Sequence, residues 1–144
     1  MLGEVWLTNR MVLAVARQIR ELFAALGTEA LAEANDPLDL PNGPIDLLIV
    51  GRQHLTDNGY RYGHEIVAQA VAKARPATLV YVVPSAWAKA TYAPDRVALE
   101  AVKNETQVLI LEIGALSDAT NDEAVQKMRT LLESPETGDV LEVF

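Results

Sequence analysis

Short, mostly apolar segments punctuate the chain at 4–7, 47–50, 78–83 and 106–113. Runs this short, bounded by polar residues or proline and rich in β-branched side chains, read as strands buried on both faces, as the interior of a parallel sheet requires. Between them the apolar period changes. Val12, Val15, Ala16, Ile19, Leu22, Phe23 and Leu26 share one helical face of 11–26, with Arg17, Gln18, Arg20 and Glu21 opposite. Thr8 or Asn9 can cap its start and Gly27 its end. A second helix runs from 64 or 65 to about 74 on Ile66, Val67, Ala70, Val71 and Ala74, and Pro76 stops it. Pro94 opens a third that reaches 103. Thr120 and Glu123 have the capping-box spacing ahead of a closing helix striped by Ala124, Val125, Met128, Leu131 and Leu132, which Ser134-Pro135 ends.

The remaining stretches join these elements. The Ala-rich segment 29–35 reads as a second strand at a sheet edge, bounded by the turn signal Asn35-Asp36-Pro37. The proline-rich stretch 36–44 leaves room for a loop or a single turn, so the helix after the second strand is short or missing. Strands alternating with helices at this rhythm predict an α/β sandwich with a parallel sheet and right-handed crossovers. One domain, 1–135, is expected, followed by a tail at 136–144 that ends on VLEVF and is too apolar to stay free, so it docks or meets a partner. The 47–50 strand delivers a polar loop, 51–58, to the carboxyl edge of the sheet, where ligands of open α/β folds collect.

Composition narrows the function classes. The net charge is −8 with no cluster of Lys and Arg, which disfavours nucleic acid and anionic membranes as partners. The absence of cysteine removes disulfides, thiolate zinc sites and a thiol nucleophile, and fits a cytoplasmic protein. Neither a signal peptide nor a membrane-spanning run is expected. No metal and no cofactor are expected either: His54 and His64 stand ten apart without further ligands and read as solvated loop and helix-start residues. Arg10 and Arg52 can face the crevice and attract an anion, but they lack the glycine-rich loop of a phosphate cradle and read as surface arginines. Ser85 follows a buried strand without the nucleophile-elbow pattern and reads as a turn residue. Trp87, Lys89 and Tyr92 combine aromatic and charged groups on one segment, as interface hot spots do. The acids of 118–123 suit a helix N-terminus and need no further role.

Four features in order resemble the receiver domains of two-component response regulators over roughly 4–133. The strand DLLIV ends at Gly51, Asn58-Gly59 stands eight residues beyond it, VVPSA supplies Ser85-Ala86 after a later strand, and LAEAND occupies 31–36. The resemblance implies a three-layer, doubly wound sandwich of flavodoxin-like topology, with a five-stranded parallel sheet in the order 2-1-3-4-5. It also implies where the family's chemistry would sit, and there the chain departs from it. Gly51 stands at the phosphoacceptor position, Thr8 and Asn9 where acids would hold Mg²⁺, and Glu112 nearest the position of a lysine. Glycine has no side chain to phosphorylate. The implied protein is a pseudo-receiver: a signalling or regulatory module that binds another protein, or itself, through the fourth-helix, fifth-strand and fifth-helix face. Around 61–64 the chain carries an insertion of about four residues relative to the family.

A second resemblance gives the alternative. DNGYRYGHEIVAQAVAKARP, 57–76, is similar to the loop and helix of the nucleoside deoxyribosyltransferase-like fold. That reading makes the chain an enzyme or a nucleotide-binding protein, with Glu65 as the nucleophile and Asp57, Tyr60 and Tyr62 shaping its pocket. The first strand ends in Trp6-Leu7-Thr8-Asn9 and lacks that family's glycine-rich ending.

Overall fold

The computed structural model describes residues 5–8, 24, 32–34, 37–56, 59–83, 93–112 and 122–143. Their elements run β1 (Val5–Thr8), β2 (Ala32–Ala34), a 3-10 turn (Pro37–Asp39), β3 (Ile45–Gly51), β4 (Gln53–Thr56), β5 (Gly59–Tyr62), α1 (Gly63–Ala74), β6 (Pro76–Val83), α2 (Ala93–Val102), β7 (Gln107–Glu112), α3 (Asp122–Glu133) and β8 (Val140–Glu142). The expected helix at 11–26 lies outside the described residues except for Ala24, which is helical.

The molecule is α/β with a parallel sheet, as the alternating periods predict. The sheet order is β2-β1-β3-β6-β7-β8, all pairs parallel. Six strands stand where five are expected, because the apolar tail pairs along β7 as β8, with Leu109 opposite Leu141. Val143 follows it into the interior, and its carbonyl accepts from Lys127 Nζ at 3.1 Å.

Both faces of the central strands are covered. Alternate residues of a strand face opposite ways, so Leu48, Val50, Leu79, Tyr81, Val83, Val108 and Ile110 form one face and pack with Ile66, Val67, Ala70 and Val71 of α1 and Leu99 and Val102 of α2. On the opposite face lie Leu47, Ile49, Thr78, Val80, Gln107 and Leu109, buried as completely. Gln107 bridges that face to α3: its Nε2 donates to Thr78 Oγ1 at 3.0 Å and to Leu131 O at 2.9 Å, and its Oε1 accepts from Glu136 N at 3.0 Å. A buried amide is tolerated there because its donors and acceptor find partners.

The stretch 37–44, expected as a loop or single turn, clamps the end of α1. Gly43 N donates to Lys73 O at 2.9 Å, Lys73 Nζ to Leu38 O and Arg75 Nη2 to Gly43 O, while Arg75 leaves the helix in a left-handed conformation (φ 44°). A β-carbon on Gly43 would fall on the Ala74 carbonyl, so the approach requires glycine.

Candidate functional site

The carboxyl edge of the sheet is where sequence and structure differ most. Within the polar loop expected at 51–58, Gly51 ends β3 and Gln53–Thr56 form β4, which pairs antiparallel with β5, Gln53 opposite Tyr62 and Thr56 opposite Gly59. Asp57 and Asn58, which separate the paired Thr56 and Gly59, are turn formers, and this Asp-Asn-Gly signal between two polar-aromatic tetrads is the feature that identifies a hairpin. The residues of 61–64 therefore end β5 and begin α1.

The base of the hairpin builds the site. Arg52 N donates to Val82 O at 2.8 Å, and Gly63 N donates to Arg52 O at 2.6 Å, so the chain enters and leaves the hairpin through one residue's backbone. Gly63 then opens α1 in a space that admits no side chain. A β-carbon there would lie 2.4 Å from Gly51 O and 2.9 Å from the Tyr81 ring and hydroxyl. Tyr81, near the end of β6, sends its hydroxyl to Asp95 in the first turn of α2 and donates to Oδ1. The backbone N–H of His64 donates to the same phenol oxygen.

Asp95 is the centre of the cluster and only 1% exposed. Arg52 Nε lies 3.6 Å from its Oδ2 and His64 Nδ1 lies 3.8 Å from its Oδ1. Tyr62 covers them from outside, its ring stacked on His64 with centroids 5.6 Å apart and the Arg52 guanidinium carbon 5.5 Å from its centre. Burial, and after it the hydrogen bond to Asp95 and that carboxylate's charge, push the Tyr81 phenol well above its usual range, which the Arg52 charge and the His64 N–H offset only in part. Tyr81 therefore stays protonated and acts as a donor. The arrangement holds one carboxylate, one guanidinium, one imidazole and one phenol at the mouth of a parallel sheet, with α1 and α2 both starting there.

The sequence-predicted residues distribute as follows. Thr8, Gly51 and Glu112 end β1, β3 and β7 and so share the carboxyl edge. Gly51 is buried. Asn9, Arg10, Asp57, Ser85, Trp87, Lys89 and Tyr92 lie outside the described residues. His54 belongs to β4, and Tyr60 belongs to β5. His64 and Arg52, read from sequence as solvated surface groups, are instead part of the Asp95 cluster, because the hairpin folds both back over the start of α2. Glu65 is exposed, and its Oε1 accepts from Tyr62 N at 3.4 Å, the position of a helix-capping acid. Tyr81 and Asp95 are missed by sequence reading altogether. Among the described residues no group of three or more His, Cys, Asp or Glu is placed to hold a metal ion, and no helix is long and apolar enough to cross a membrane. Compared with protein-family models, curated proteins and solved structures, the chain matches none.

Proposed function

We propose that this chain is a receiver-like regulatory module of the cytoplasm that works by binding another protein, or itself, and carries no phosphoacceptor chemistry. The winding supports the reading: with the hairpin set aside, β2-β1-β3-β6-β7 corresponds to the order 2-1-3-4-5, with β8 added at the edge. The observation that carries it is the surroundings of Gly51. The position that would bear the phosphoryl group has no side chain, and Gly63 presses on its carbonyl from the base of the hairpin. The neighbouring buried acid, Asp95, is engaged by Tyr81 and faces Arg52, so it does not supply a substitute nucleophile open to a phosphodonor.

The partner surface in this reading is α2 with the edge beside it. Val97, 71% exposed, and Leu141 flank the exposed pair between Arg96 Nη2 and Glu142 Oε1, 2.8 Å apart, which ties α2 to β8. Trp87, Lys89 and Tyr92, just before α2 in the chain, are the sequence-based candidates for contacts with the partner. The test is incubation with a small-molecule phosphodonor and Mg²⁺ followed by intact-mass measurement. An unmodified mass is expected; a covalent phosphoryl adduct would overturn the reading.

A further inference from the structure

The hairpin β4–β5 forms a two-stranded sheet separate from the six-stranded one. A lone hairpin of this size is marginal in water, so what grips its base contributes to its seating. Two of the gripping side chains flank it in sequence, Arg52 before and His64 after, and both converge on a carboxylate that belongs to α2. Neither reaches hydrogen-bond distance. Asp95 Oδ2 and His64 Nδ1 are buried and have no hydrogen-bond partner among the described residues. Burying a polar group without a hydrogen bond is unfavourable, so access of water to these atoms offsets part of what is lost when the hairpin is unseated.

We propose that Asp95 is a releasable latch, coupling the seating of the β4–β5 hairpin to the position of α2. In the seated form the Arg52 guanidinium faces the carboxylate and His64 helps enclose it, with Tyr62 packed over them. When the hairpin lifts, solvent reaches Asp95 and His64, and the carboxylate, with the start of α2 that carries it, loses the grip of Arg52 and His64 and keeps the hydrogen bond from Tyr81. Movement of α2 displaces Asp95 and loosens the hairpin; a ligand that lifts the hairpin frees α2 in turn, because coupling between two sites is reciprocal.

Hydrogen–deuterium exchange on the whole chain tests this, comparing wild type with Asp95→Asn, Arg52→Gln and, as an exposed ion-pair control, Glu142→Gln. Local opening sets exchange in such a segment. In Asp95→Asn and in Arg52→Gln the amides of β4 and β5 are expected to exchange about tenfold faster or more, with β6 and β7 as protected as in wild type. Glu142→Gln is expected to leave the hairpin unchanged. Hairpin exchange at the wild-type rate in Arg52→Gln overturns the proposal, and so does acceleration of β6 and β7 together with the hairpin. Should Asp95→Asn fail to fold, Arg52→Gln decides alone.

Discussion

Gly63 and Tyr81 share one small volume at the end of the sheet, and a change in either is felt by the other. A methyl group on Gly63 meets a backbone oxygen, Gly51 O, which cannot turn aside as a side chain would. Gly63→Ala is therefore expected to cost roughly 1–3 kcal/mol in urea unfolding, the usual range for overpacking. Tyr81 carries a prediction of its own, in pH. Its phenol is raised above the ordinary value near 10 by burial first and by Asp95 second. Above that pH the unfolded chain has lost a proton that the folded chain keeps. The stabilisation is thus fully present below about pH 10 and falls as pH rises, by up to about 1.4 kcal/mol per pH unit. Urea midpoints measured from pH 9 upward should drop for wild type and drop less for Tyr81→Phe; equal slopes would remove Tyr81 as the cause. None of this was visible in the chain itself. Asp95 looks like any first-turn acid beside a helix dipole, and no local pattern says that Tyr81, fourteen residues earlier, reaches it.

At the scale of elements, the readable signals were the periods. The apolar runs became β3, β6 and β7, and the helical stripes became α1, α2 and α3, because burial on two faces or one leaves its mark directly on the residue order. The hairpin was less legible: β4 and β5 are short, carry no continuous apolar run in the sequence and stand outside the main sheet, so only their turn announces them. Gln107 was illegible for another reason: a polar residue at the start of β7, it reads as a solvated strand end but is buried. Its amide joins Thr78, Leu131 and Glu136, fastening the last turn of α3 and the segment after it to the sheet. Gln107→Ala leaves Leu131 O and Glu136 N without that partner and opens space in a buried layer. A loss of about 1–3 kcal/mol is expected, together with faster amide exchange in 130–137 than in α1. A variant as stable as wild type would mean that water replaces the amide at no cost.

For the whole molecule, the order of strands decides which edges are exposed, and the tail decides the state of one of them. The sequence marks the tail as too apolar to remain free; it does not say where the tail goes, since a run of three or four residues pairs equally well with either edge of a sheet or with another chain. Here β8 covers β7, Val143 enters the interior, and Lys127 holds its carbonyl. Removing 140–144 would expose the backbone of β7 from Val108 to Ile110 and uncover apolar surface between the sheet and α3. The apolar loss alone predicts destabilisation on the order of 2–4 kcal/mol. A bare edge also recruits strands from other molecules. The truncated chain should therefore unfold at lower urea and sediment as larger species as its concentration rises. Glu142→Gln, which breaks only the exposed pair with Arg96, should stay within about 0.5 kcal/mol of wild type. If truncation leaves both the midpoint and the sedimentation unchanged, β8 contributes neither stability nor edge protection, and the tail is free to serve a partner instead.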